Sequence, residues 1–227
     1  MEVEYDDNGN YKLKIILIGN SGVGKTNLIN IMQDKDFNES EATTPTCSFI
    51  IKEMVVEDLN FNVYLWDTIG QEKLKSQTKI FFKNSKIVIL VYSIAVKDSF
   101  TELQNWHQQV KESLGDNIVL GVLGNKKDLF MQEQVSEEEA KAYAESIGAE
   151  WGLTSAKTER QSFVTYIEKL IQIYIKKANI KTKKDEIVRE KSVKLDSKDT
   201  NTKTLKKKKS LLNLKLNFYL KLIINFL

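Results

Sequence analysis

Gly19-Asn20-Ser21-Gly22-Val23-Gly24-Lys25-Thr26 spells G-x-x-x-x-G-K-T directly after the apolar run Leu13-Lys14-Ile15-Ile16-Leu17-Ile18. Glycines at this spacing let the backbone curl, so that successive N–H groups face an anion at the positive end of a helix. The chemistry implied is capture of a nucleoside triphosphate. Lys25 is placed to reach the β- and γ-phosphates, and the Thr26 hydroxyl to bind Mg²⁺. Asn125-Lys126-Lys127-Asp128 follows a second apolar strand. A carboxylate such as that of Asp128 accepts two hydrogen bonds side by side, which matches the N1–H and N2–H₂ donors of guanine; adenine offers no such pair. Thr154-Ser155-Ala156-Lys157 follows a third predicted strand and can offer a backbone N–H to guanine O6. Trp66-Asp67-Thr68-Ile69-Gly70-Gln71-Glu72 closes another strand. There Asp67 is expected to hold a Mg²⁺-bound water, the Gly70 amide to touch the γ-phosphate, and Gln71 to orient an attacking water.

These groups must be carried by a scaffold that gathers strand ends. Strands are predicted at 12–18, 48–57, 60–67, 86–93, 118–124 and 149–153, and helices at 25–34, 75–84, 98–114, 136–147 and 161–177. Ile15–Ile18, Ile87–Tyr92 and Ile118–Leu123 are mostly apolar without alternation, as expected of strands covered on both faces. The short link Asp58-Leu59 between 48–57 and 60–67 predicts an antiparallel hairpin. Alternation of this kind gives a doubly wound α/β domain with its ligand at the carboxyl ends of the strands.

The chain has 227 residues, 41% hydrophobic and 29% charged, with a net charge of +3. Residues 1–177 carry 20 Lys/Arg against 26 Asp/Glu, whereas residues 178–227 carry 14 against 5. An acidic folded domain with a basic arm follows. The expected organisation is an acidic extension at 1–10, a folded domain at 11–177, a basic linker without a packed core at 178–209, and an apolar segment at 210–227. Cys47 is the single cysteine and His107 the single histidine, which excludes an internal disulfide and leaves almost no material for metal triads or Cys–His catalysis. His107 reads as a surface residue, and Trp106 and Trp151 as core or boundary aromatics. The N-terminus lacks the basic–apolar pattern of a signal peptide. The basic tail lacks any recognised nucleic-acid module, so no nucleic-acid partner is expected.

With these four blocks the chain resembles the Ras superfamily of small GTPases, and its Rab branch most closely, over about residues 11–177. The resemblance implies a three-layer P-loop GTPase fold with a mostly parallel six-stranded sheet and helices on both faces. It implies GTP/GDP and Mg²⁺ as ligands, held by Gly19, Ser21, Gly22, Val23, Gly24, Lys25, Thr26, Phe37, Thr44, Asp67, Gly70, Asn125, Lys126, Asp128, Ser155, Ala156 and Lys157. Thr44 stands where the family's switch-I threonine binds Mg²⁺, Phe37 where an aromatic packs on the base, and Thr26, Thr44 and Asp67 (through water) where the metal is held. Lys25, Thr44 and Gln71 carry the catalytic roles. Phe49, Trp66 and Phe81 fall where Rab proteins place an aromatic triad that reads effectors; ordinary core packing is the competing reading of the same rings.

The implied protein is a monomeric, slow GTP-hydrolysing switch of vesicle trafficking. It would work with an exchange factor, an activating protein and effectors, in the cytoplasm and peripherally on the cytosolic face of endomembranes. Three departures stand out. Ile69 replaces the family's alanine beside the γ-phosphate, which crowds a packed site. Thr44-Pro45-Thr46-Cys47-Ser48-Phe49 replaces the common Thr-Ile-Gly ahead of the Phe. A nucleotide-binding scaffold with impaired hydrolysis is the alternative these changes raise. No cysteine follows Cys47, so the terminal prenylation usual in Rab proteins has no acceptor; Lys206, Lys207, Lys208 and Lys209 offer contact with anionic lipid instead.

Overall fold

β2 (Tyr11–Ile18) is the spine of the sheet, and its side chains alternate between two cores. Leu13, Ile15 and Leu17 pack into one layer with α1 (Lys25–Met32) and α5 (Arg160–Lys177). Ile16 and Ile18 face the other, built on α3 (Leu103–Leu114) and α4 (Glu137–Ser146). Both faces are covered, so the run needs no polar alternation. This is a computed structural model, and it describes residues 1–39, 48–68 and 81–182. Met1–Ile180 form one compact unit.

The strand order is β3-β4-β2-β5-β6-β7, with β3 at Ser48–Val56, β4 at Leu59–Asp67, β5 at Ile87–Ser93, β6 at Val119–Asn125 and β7 at Glu150–Leu153. β4, β2, β5, β6 and β7 pair in parallel, so their carboxyl ends share one edge. β3 runs antiparallel to β4 as the hairpin expectation required. The link falls at Glu57-Asp58 rather than Asp58-Leu59, with φ of 51° and 64°. Two consecutive residues in that region make the tight turn whose twist matches a two-stranded ribbon.

Among the described residues the sheet has seven strands where six were expected. The seventh, β1 (Glu4–Tyr5), comes from the segment read as an acidic extension and pairs antiparallel with the first two residues of β2. The Asp6 carboxylate makes the turn by accepting the N–H groups of Asn8 and Asn10 at 2.9 and 2.8 Å. It also takes the Asn62 side-chain amide at 2.5 Å.

The helix expected over 98–114 is divided into α2 (Lys97–Thr101) and α3. Glu102 between them keeps right-handed dihedrals, and Trp106 N–H still donates to its carbonyl at 3.1 Å. The division is therefore a loosened turn. A short 3-10 segment, Lys127–Gln132, follows β6 and was not expected. Most of the helix expected over 75–84 lies outside the described residues.

Candidate functional site

The described parts of the blocks singled out by type and spacing emerge from the shared carboxyl edge of the sheet. The 19–26 loop follows β2 and turns into α1, whose N-cap, Gly24, has φ 96°. A Cβ there would sit 2.5 Å from the Asn125 side-chain nitrogen, so only glycine fits. A Cβ on Gly19 (φ 148°) would run into the Val91 carbonyl. Both glycines are dictated by close backbone approach as well as by conformation.

Lys25 is almost wholly buried, and its Nζ donates to the carbonyls of Gly19 and Asn20 at 2.8 and 2.9 Å. Burial pushes its pKa down to about 8, and the Asp67 carboxylate works against that shift. Thr26 Oγ1 donates to Asp67 Oδ2 at 2.7 Å, which brings the first residues of α1 against the end of β4. Thr68 pins that end by donating its buried hydroxyl to the Leu17 carbonyl at 2.6 Å. A hydroxyl and a carboxylate side by side are the hard oxygen donors Mg²⁺ takes, and a buried ammonium next to them calls for an anion. These residues fit a magnesium nucleotide.

The second pocket wall is built from β6, β7 and the loops that follow them. Asn125, 1% exposed, donates Nδ2 to the Val23 carbonyl at 2.9 Å and accepts the Ala156 N–H on Oδ1 at 3.2 Å. Ser155 Oγ donates to Asp128 Oδ1 at 2.5 Å and accepts the N–H groups of Lys157 and Thr158. This orients the Asp128 carboxylate. Lys126 adopts φ 65°, which lets Lys127 N–H reach the Thr154 carbonyl and ties the two loops together. Phe37 lies beside them, with Lys157 Nζ 5.7 Å from its ring centre. Asn27 fixes that approach with two bonds to the backbone of Asn38.

The three candidate recognition rings also meet. Phe49 stacks on Trp66 with centroids 4.8 Å apart, and Trp66 lies 6.3 Å from Phe81. Phe49 is 48% exposed, whereas Trp66 and Phe81 pack against the core beneath, so core packing accounts for two of the three rings.

Thr44, Ile69, Gly70, Gln71 and Lys206–Lys209 lie outside the described residues, as do Pro45, Thr46 and Cys47. His107 is partly buried rather than simply on the surface. It lines a cleft of about 360 Å³ with Val110, Lys111, Gly115 and Ile118, and burial, then Lys111, lowers its pKa. That cleft lies at the amino end of β6, away from the loops described above. Sequence reasoning missed the Thr68 hydroxyl, the Asn27 amide and the Trp106 indole, which reaches Asn20 in the 19–26 loop.

The Ras family model matches residues 14–176. The chain belongs to the Ras family. Over 150 residues it is 39% identical to Ras-related protein Rab-21 of Bos taurus, covering 66% of this chain and 68% of that protein. The human Rab-21 is also 39% identical, with 66% and 67% covered. Ras-related protein Rab-3D of Mus musculus is 33% identical over 174 residues, 77% of this chain and 79% of that one. This Ras-family chain is a Rab-like small GTPase, a switch of intracellular membrane trafficking that binds and hydrolyses GTP.

Proposed function

We propose that this Rab-like protein binds GTP and GDP with Mg²⁺ through the residues above, and turns GTP over slowly until an activating protein engages it. The observation carrying the reading is the Thr26–Asp67 contact of 2.7 Å beside the buried Lys25 ammonium. Lys25 and the loop amides of Ser21, Gly22, Val23 and Gly24 neutralise the phosphates, while Thr26, Thr44 and Asp67 hold the metal. Bound Mg²⁺ supplies further charge neutralisation on the phosphate oxygens. Asp128 and Asn125 select guanine, Ala156 and Lys157 complete the base pocket, and Phe37 covers it. Gln71 and Thr44 act at the γ-phosphate, so their arrangement depends on which nucleotide is held.

Arg160 and Arg189 are the only arginines in the chain, and neither lies in the switch segments. An arginine or its equivalent must then come from the activating protein. An exchange factor and effectors meet the Phe49–Trp66–Phe81 surface, where partly exposed aromatics make good anchors. Lys206–Lys209 draw the protein to anionic membrane on the cytosolic side; no helix among the described residues is long and apolar enough to cross one. The protein acts as a monomer, and nucleic acid is not a partner.

The test is to identify the nucleotide that co-purifies with the full chain, then to time GTP hydrolysis with and without a broad-specificity Rab activating protein. Co-purified guanine nucleotide and a large acceleration are expected. Absence of guanine nucleotide overturns the binding assignment, and an unaccelerated rate overturns the proposed division of labour.

A further inference from the structure

Asn20, the second residue of the phosphate loop, makes two contacts that point in opposite directions. Its side-chain Oδ1 accepts the indole N–H of Trp106 at 3.0 Å, across 86 residues of sequence. Its backbone carbonyl accepts Lys25 Nζ at 2.9 Å. Trp106 is 1% exposed and sits in α3, within the core layer on the opposite face from α1, into which the loop runs. Asn20 itself is only half-buried.

We infer that Trp106 is a positioning residue for nucleotide binding: by holding the Asn20 side chain it fixes the carbonyl on which the Lys25 ammonium rests. The inference depends on residues 19–26 being the phosphate site. The physical case has three parts. A half-buried asparagine in a glycine-rich loop has little packing to orient it, whereas a bond to a locked ring does so. A buried ammonium is held by the dipoles of the Gly19 and Asn20 carbonyls, and a carbonyl that swings away removes one of two acceptors. The other end of the loop has its own restraint, Asn125 on the Val23 carbonyl. Trp106 therefore supplies a hold on the near end that the base-side residues do not provide. The loop is tied to both core layers, and Lys25 meets an incoming phosphate already aimed.

A purely structural role would have Trp106 simply satisfying its own N–H, with no consequence for the ligand. The two readings part in a double-mutant cycle on the full chain loaded with fluorescent GDP and Mg²⁺, read as the GDP dissociation rate. Trp106→Phe keeps an aromatic ring, though a smaller one, and removes the donor; Asn20→Ala removes the acceptor from a half-buried site without touching the core and serves if the first variant folds poorly. Each is expected to speed dissociation about three- to tenfold, and the double variant to be no faster than either single one. Asn20→Asp retains an acceptor and restores the rate to within about twofold of the parent. Effects that multiply in the double variant overturn the proposal, as do unchanged dissociation rates with only a lowered melting temperature. A parent chain that holds no GDP fails the phosphate-site reading itself, and the inference falls with it.

Discussion

Asn125 donates its side-chain amide to the Val23 carbonyl at 2.9 Å, joining the 19–26 loop to the strand that leads into Asn125-Lys126-Lys127-Asp128, 102 residues away. The same side chain accepts the Ala156 N–H, so one amide closes three loops. Asn125→Ala leaves a buried donor and a buried acceptor without partners, at about 1–3 kcal/mol each. GDP dissociation is expected to accelerate at least about tenfold, with a fall in melting temperature. Fluorescent-GDP release and thermal unfolding, run on the same preparation, measure both. A lowered melting temperature with unchanged release would show that the closure serves only the fold.

The Ser155–Asp128 bond of 2.5 Å orients a carboxylate for two donors. Asp128→Asn replaces one acceptor by a donor, which then faces a guanine donor. Charge-assisted hydrogen bonds contribute about 1.5–3 kcal/mol, so GTP affinity should fall roughly 10- to 100-fold. Xanthosine triphosphate, which carries an acceptor at that position, should gain relative to GTP. Competition against fluorescent GDP decides it, and an unchanged GTP-to-xanthosine preference would remove Asp128 from base selection.

Burial lowers the pKa of Lys25 to about 8, below its ordinary 10.5, despite the Asp67 carboxylate. The unfolded chain therefore holds this proton up to higher pH than the folded one. Lys25 costs stability below about 8, and that cost is relieved as pH rises from about 8 toward 10.5. Bound phosphates favour the ammonium and pull the pKa back up. Nucleotide affinity should thus fall as pH climbs through 8, with uptake of most of one proton per GDP at pH near 9. Calorimetric titration in buffers of different ionisation enthalpy measures that uptake; binding without it would show that Lys25 is already fully charged in the free protein.

Tyr166 of α5 lies flat against two glycines of the sheet. A Cβ on Gly152 would collide with its ring and one on Gly121 with its hydroxyl, which donates to the Glu150 carbonyl at 2.8 Å. Gly152→Ala is an overpacking change, expected to cost about 1–3 kcal/mol. Tyr166→Phe costs about 1 kcal/mol through the lost bond. Denaturant unfolding should rank Gly152→Ala below Tyr166→Phe, and the reverse order would mean that the ring has room to shift.

The alternation of apolar runs with helical patterns made most of the architecture legible, because helices covering both faces remove the polar alternation from Ile15–Ile18 and Ile87–Tyr92. The loops were legible for another reason: their residue types at these spacings match what phosphate and base chemistry asks for, and close packing at Gly19 and Gly24 demands the same glycines. What escaped was long-range and local at once. Nothing near Trp106 in sequence says that its indole finds Asn20, since a buried tryptophan takes whichever acceptor the fold brings to it. β1 escaped because two residues are too short to show a period, although Asp6-Asp7-Asn8-Gly9 is a turn sequence with a mechanism: a carboxylate collecting N–H groups before a glycine at φ 79°.

That short strand sets up a clean separation of stability from binding. Tyr5 packs on Tyr11 and Tyr11 on Phe61, with ring centres 4.9 and 5.0 Å apart, and Glu4 pairs with Lys86 at 3.5 Å. All of these contacts lie at the amino ends of β2 and β4, the opposite edge from Lys25 and Asp128. Loss of the strand takes away the Tyr5–Tyr11 pair, worth about 0.2–1 kcal/mol, the Asp6–Asn62 bond, worth about 0.5–1.5 kcal/mol, and the partly buried Glu4–Lys86 ion pair, and it leaves Tyr11–Phe61 in place. Removing residues 1–7 should therefore cost about 1–3 kcal/mol, or roughly 2–10 °C in melting temperature for a domain of this size. The GDP dissociation rate should stay within about twofold of the full chain, because no phosphate or base contact passes through β1. Faster release from the shortened chain would mean that β1 braces β2 strongly enough to hold the phosphate loop from its far end.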